Sequence, residues 1–255
     1  MLKYIDSHAH YYSHDFDEDR DELLPRLYES GVHRIINIGC SVKSSIKCAE
    51  MAEKAEYLYN AAGIHPEYAN DVEDDYKDII REICTREKTV ALGEIGLDYH
   101  YEGYDRDKQI KLFREQLEMA QELQLPVVIH SRDAAADTMD ILKEYKPKGV
   151  LHCYSGSAEY AKEIVKLGMY IGFTGVLTFK NAKKAVETVK TIPLDRILVE
   201  TDCPYMAPEP FRGKRSDSGM IVKVLEKIAG LKGISAEEAA EITMENTYRL
   251  FEKLR

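Results

Sequence analysis

The sequence predicts an α/β protein closed into a (β/α)8 barrel of the TIM type, with one chemical site gathered at the C-terminal ends of its strands. Three observations carry this expectation. Eight short apolar or β-branched runs alternate with longer segments of helical spacing along 255 residues, the pattern of a parallel sheet covered by helices. The first run leads into HAHYYSHDFDEDR, which has no glycine, whereas an open doubly wound sheet normally carries a glycine-rich turn after its first strand. Histidines and carboxylates recur where the runs end.

Taken in order, Tyr4–His8 alternates enough to read as the first strand. Residues two apart on a strand share a side, so His8 and His10 aim together. Two imidazoles so placed can share a metal ion; a pair of surface histidines is the alternative reading. Further strand runs are Arg34–Ile38, Tyr57–Ala62, Thr89–Glu94, Val127–His130, Val150–His152, Met169–Phe173 and Arg196–Glu200. Helical stretches between them include Ser41–Lys54, Ala134–Tyr145, Ala158–Leu167 and Asp105–Leu123, where Ile110, Phe113, Leu117 and Ala120 fall on one face. A final helix is expected over Ser235–Leu254, opening on the capping box Ser235-Ala236-Glu237-Glu238.

Composition narrows the functional classes. With 44% hydrophobic and 31% charged residues, a soluble globular chain is expected, folded as one domain over residues 1–255. No apolar run reaches the length of a bilayer span, and no signal-peptide stretch stands at the N-terminus. Five scattered cysteines without a CxxC pair point to a reducing, cytoplasmic setting. A formal net charge of −10 disfavours a protein that coats long duplexes, yet leaves room for a phosphate held locally. A monomer that does not associate with membranes is expected.

The strand ends hold the chemistry. His8 and His10 close the first strand, His65 follows the third, and Glu94 ends the fourth. His130 ends the fifth, His152 the sixth, and Asp202 follows the eighth. Singly, each reads as a hydrogen-bonded loop residue, a helix cap or a solvated carboxylate. Jointly, on one rim, they read as a metal site. They exceed what one zinc takes from a protein, so two ions about 3.5–4 Å apart, bridged by Glu94 or Asp202, would use them better.

The motifs resemble the TatD family of metal-dependent deoxyribonucleases, within the amidohydrolase superfamily. They are IDSHAH (Ile5–His10), GIHPE (Gly63–Glu67), GEIGLDYH (Gly93–His100), PVVIHSRDA (Pro126–Ala134), HCYSGS (His152–Ser157), IGFTGVLTFK (Ile171–Lys180), VETDCPYMAPEPFRGKR (Val199–Arg215) and ENTYRLF (Glu245–Phe251). The resemblance implies one ion on His8, His10, Glu94 and Asp202, and a second on Glu94, His130 and His152, with Glu94 as the bridge. It places His65 near the substrate phosphate. The two divalent ions, of zinc, magnesium or manganese, would make hydroxide available for attack on phosphorus, with Asp202 orienting the water and taking its proton. Arg132, Arg212, Lys214 and Arg215 are candidate phosphate contacts; a solvated basic loop and a structural Arg132 are the plainer alternatives. The expected activity is exonuclease-like cleavage of DNA ends or short single-stranded nucleic acid. An amide or ester hydrolase, such as an aminoacyl-tRNA deacylase, is the alternative on the same donors; an idle scaffold is disfavoured because every donor is present. One departure stands out: RGKR continues as Ser216-Asp217-Ser218-Gly219, where the family commonly has Asn-Glu-Pro. Cys203 reads as a small packed residue rather than a nucleophile.

Overall fold

A computed structural model describes residues 2–255. Its eight strands are β1 (Tyr4–Ala9), β2 (Val32–Ile38), β3 (Leu58–Ala62), β4 (Thr89–Asp98), β5 (Val127–Arg132), β6 (Gly149–Leu151), β7 (Tyr170–Phe173) and β8 (Ile197–Val199). They form one sheet in sequential order, each pairing the next in parallel. The helices are α1 (Arg20–Glu29), α2 (Val42–Ala52), α3 (Tyr76–Cys84), α4 (Arg106–Leu123), α5 (Ala135–Tyr145), α6 (Ala158–Lys166), α7 (Lys183–Thr191), α8 (Ile221–Lys232) and α9 (Ala236–Leu250). This is the (β/α)8 barrel. No helix among the described residues is long and apolar enough to cross a membrane.

The barrel closes between β1 and the segment just beyond β8. Asp202 N donates to the His8 carbonyl at 2.9 Å, and His10 N donates to the Cys203 carbonyl at 2.8 Å. Ala9 and Cys203 form a parallel bridge there. The backbone of two strand-end histidines and of the Asp202 loop therefore makes the seam.

Two apolar layers follow from strand alternation. Ile36, Ile38, Ala61, Val90, Val128, Val150 and Leu198 pack together with Leu250, Phe251 and Leu254 of the ENTYRLF end. Their neighbours in register, such as Ile35, Leu58, Ile95 and Ile129, pack with Phe113, Leu117, Ile164 and Leu225 of the helices. Residues on opposite faces of a strand belong to different layers.

Some boundaries differ from the sequence expectation. β4 does not end at Glu94 but runs to Asp98, because Ile95–Asp98 pairs with Ile129–Arg132 after a register shift. Glu94 is thus inside its strand, and so is His130 within β5. A fully buried ten-residue strand shows no polar alternation to mark where it stops, and Gly93 and Gly96 mimic an end. α9 stops at Leu250, and a short 3₁₀ turn takes Glu252–Leu254. At its start, Ser235 Oγ accepts from Glu238 N at 3.1 Å.

Candidate metal centre

Glu94 is the hub of the C-terminal rim. It is almost wholly buried, and its two carboxylate oxygens face different partners. Oε1 lies 2.7 Å from His152 Nε2, 3.0 Å from His130 Nδ1 and 3.7 Å from His65 Nε2. Oε2 lies 3.4 Å from His8 Nε2 and 3.7 Å from His10 Nε2. Asp202 joins the second group, with Oδ1 3.1 Å from His10 Nε2 and 3.6 Å from His8 Nε2. The structure therefore brings His8, His10, His65, Glu94, His130, His152 and Asp202 together.

The local fold fixes which ring nitrogens face inward. His10 Nδ1 is 2.9 Å from the Ile38 carbonyl, which can only accept, so Nδ1 carries the proton and Nε2 presents its lone pair to the centre. His130 Nε2 is 3.0 Å from Asp98 Oδ2; that carboxylate takes the N–H and leaves Nδ1 as the inward lone pair. His65 has the opposite sense. Its Nδ1 accepts from Glu67 N at 3.2 Å, so Nε2–H points at Glu94.

These features test whether a cation suits the centre. His8 and His10 present Nε2 atoms 3.1 Å apart, with carboxylate oxygens around both. One N–H serves one acceptor well, whereas a cation takes all the lone pairs at once. Donor atoms of His8, His10 and Glu94, and separately of Glu94, His130 and His152, lie within 4.8 Å of one another. The donor set fits divalent metal.

Charge is divided: burial lowers His8 and His65, whereas at His10, His130 and His152 burial is outweighed by neighbouring acidic groups, which raise them toward the protonated form. Burial pushes the Glu94 carboxyl up, but the imidazoles around it, His152, His65, His8 and His130, hold it well below its ordinary value. For Asp202, burial is likewise outweighed by the neighbouring His10, His8 and His152 rings. Burial, reinforced by the His152 charge, brings His8 down to about 4, and burial takes His65 down to about 3. Both rings are neutral near pH 7, the ligand form of imidazole.

Several residues that shape the centre escaped the sequence reading. Asp98, besides holding His130, lies four residues after Glu94 on the same strand face. Buried Gln109 and Gln116 of α4 clamp backbone on the rim: Gln109 brackets Asp98 with two bonds of 2.8 Å, and Gln116 brackets Ile64 at 2.7 and 3.0 Å. Glu200, fully buried, reaches within 3.7 Å of His152 Nδ1 and accepts from Cys153 N. Cys40 Sγ is 3.5 Å from Glu94 Oε2. Asp98 shares strand alternation with Glu94, four positions earlier on β4, and that signal could have found it; Glu200 lies just beyond β8.

The cations sit further out. Arg132 is exposed, with its guanidinium 5.1 Å from the Tyr101 ring and 3.2 Å from the Tyr101 hydroxyl. Arg212 lies 4.5 Å from the Phe179 ring centroid and Lys214 5.9 Å from that of Phe211. Arg215 is committed elsewhere: it donates to both Asp19 oxygens and to the Asp15 carbonyl, and covers Phe16. Cys203 is fully buried.

Beneath the rim, Asp6 ties the variant loop to β1. Its Oδ2 accepts from Thr201 Oγ1 and Ser218 Oγ, both at 2.6 Å, and Oδ1 accepts from His8 N and Thr201 N at 3.2 and 3.1 Å. Ser218 also bonds Tyr11 through its hydroxyl and its amide, both at 2.8 Å. The Ser-Asp-Ser-Gly departure thus includes a residue anchored in the buried network.

Comparison with known proteins agrees with this geometry. The family model described as TatD related DNase matches residues 5–252. An uncharacterized metal-dependent hydrolase, YabD of Bacillus subtilis, is 44% identical over 250 residues, covering 97% of this chain and 98% of that protein. The 3'-5' ssDNA/RNA exonuclease TatD of Cronobacter sakazakii is 34% identical over 250 residues, covering 94% and 95%. The crystal structure of YJJV, a TatD homolog from Escherichia coli, superposes with a TM-score of 0.93 at 32% identity, covering 98% of each chain.

Proposed function

The chain belongs to the TatD-related DNase family and is a metal-dependent hydrolase, and on that premise we propose that it trims single-stranded nucleic acid from an end by hydrolysing phosphodiester bonds. The observation that carries this reading is the Glu94 carboxylate, whose two oxygens divide the histidines into two sets beneath a rim of cations and exposed tyrosines.

In this reading His8, His10, Glu94 and Asp202 hold one divalent ion, and Glu94, His130 and His152 a second; imidazole suits zinc, and the carboxylates also suit magnesium or manganese. Such ions supply positive charge against the developing anion and acidify water. The protein's own groups do the rest. Asp202 is the more open of the two carboxylates, with its side chain 13% exposed against 4% for Glu94. Held ionised, it orients the water and accepts its proton. His65, with Nε2–H aimed inward, donates to a phosphate oxygen. Arg132, Arg212 and Lys214 meet phosphates, while Arg215 acts by pinning the loop to Asp19. The acidic surface suits strand ends over long duplexes. Tyr101 and Tyr205, 62% and 59% exposed, supply faces on which unpaired bases stack. We further read the chain as one domain over residues 1–255, monomeric and cytoplasmic.

The test is cleavage of end-labelled single-stranded DNA, beside a charged tRNA ester, by metal-stripped protein with Mg²⁺, Mn²⁺ or Zn²⁺ added back. Stepwise shortening that vanishes in a His8→Ala/His10→Ala double variant supports the proposal. Intact DNA with ester cleavage would replace it with deacylation.

A further inference from the structure

Between the loops that follow β6 and β7, on the same rim, lies a groove of about 500 Å³, within the range of small-molecule sites. Ser155, Val176, Phe179, Asn181, Lys183 and Lys184 line it. It borders the centre: Ser155 stands three residues beyond His152, and the two loops meet where Cys153 Sγ lies 3.5 Å from Thr174 Oγ1.

The groove is locally positive. Lys183 and Lys184 occupy the first two positions of α7, whose cap is Ala182, without a side-chain cap bond and without an acid in the first turn. Cations at a helix N-terminus face the positive end of the macrodipole and cost stability; the Lys183 amide is bonded to the Asn181 carbonyl. Lys180, Lys183, Lys184 and Arg212 form no ion pair among the described residues; Glu187 and Glu209 on the same segments do not reach them. In a chain of net charge −10, four cations grouped around one groove without an acidic partner offer an anion a local site. The Phe179 ring, with Arg212 against it, adds an aromatic face. A ring flanked by cations is how proteins hold single strands without reading their sequence.

We propose that this groove is the track for the nucleotides adjoining the cleaved bond, with a base stacked at Phe179 and Arg212 and phosphate held by Lys183, Lys184 and the α7 N-terminus. The proposal rests on the nuclease reading above, and its test separates the two. Fluorescein-labelled dT12 with a phosphorothioate backbone is titrated against metal-loaded protein by anisotropy. Hydrolysis of ordinary dT12 and of bis(4-nitrophenyl) phosphate, too short to reach the groove, is followed alongside. Lys183→Glu/Lys184→Glu should weaken oligonucleotide binding at least tenfold and flatten the slope of log affinity against log salt by about 1.4, since each single-strand phosphate contact contributes about 0.7. Phe179→Ala should weaken binding about fivefold. Both variants should turn over the small diester within about twofold of wild type. Wild-type affinity in the variants, no binding by the wild type, or a parallel loss on the small diester would each overturn the groove. Binding through the lysines without cleavage of ordinary dT12 would keep the groove and remove the nuclease reading.

Discussion

Replacing Asp6 with alanine should weaken the fold and the centre together. The carboxylate is fully buried and accepts two backbone N–H bonds and two hydroxyl bonds. Alanine leaves His8 N and Thr201 N without an acceptor, at about 1–3 kcal/mol for each buried unmet donor. Thr201 retains only the distant His8 carbonyl at 3.4 Å, whereas the Ser218 hydroxyl keeps Tyr11. Relief from burying a charge offsets part of this. The net loss should be about 4 kcal/mol. With a urea slope of about 3 kcal/mol/M for a chain of this size, the midpoint falls by about 1.3 M. Unfolding followed by far-UV circular dichroism in chelator reads the effect without a metal contribution. Asp6→Asn keeps an acceptor for both amides and should cost only about 1 kcal/mol. An alanine midpoint within about 0.3 M of wild type would refute the argument that this network holds β1 to the Ser218 loop.

Other outcomes follow from the same structure. Gly96 has φ +141°, and an added Cβ would meet the His130 carbonyl oxygen; Gly96→Ala should cost about 3 kcal/mol through backbone strain and overpacking. In a chain of this length, calorimetry should then show a fall of about 6–12 °C in Tm, and an unshifted Tm would contradict the close approach of β4 and β5. Divalent metal at a hundred times its Kd should stabilise the native barrel by about 2.7 kcal/mol, a rise of about 5–10 °C by scanning fluorimetry; the rise should be smaller in His8→Ala/His10→Ala, which keeps only the donors of the second ion. Glu94→Ala should abolish turnover and metal content while leaving the circular dichroism spectrum unchanged, and retained activity would sink the bridging role.

The barrel was legible because alternation of short apolar runs with helical spacing is imposed by the fold's own burial pattern, and eight such units leave few alternatives. The clustering of His8, His10, Glu94, His130, His152 and Asp202 was legible because a parallel barrel delivers every strand end to one rim. What the sequence hid was orientation. Nothing in Arg215 distinguishes a cation free for phosphate from one folded back on Asp19, since that partner lies 196 residues away. Asp98 was obscured by the misplaced end of β4, and Gln109 and Gln116 by their places in a helix whose buried face also accepts two amides. Ser218 sat in a stretch noticed only as a departure. The Asp6 network explains what that serine touches, and side-chain pairings of that range leave no local trace in composition or period.

The seam of the barrel also sets when the centre can exist. His10 and Asp202 meet across 192 residues of chain, and the backbone bonds beside them are those that join the first strand to the segment after the last. During synthesis the histidines emerge early and wait. A nascent chain halted before Asp202 carries the imidazoles and Glu94 but neither the Asp202 carboxylate nor the segment after β8 that closes the ring. Truncated products would therefore hold an incomplete donor set on an open sheet. The order of these strands defers assembly of the full donor set until Asp202 has been made.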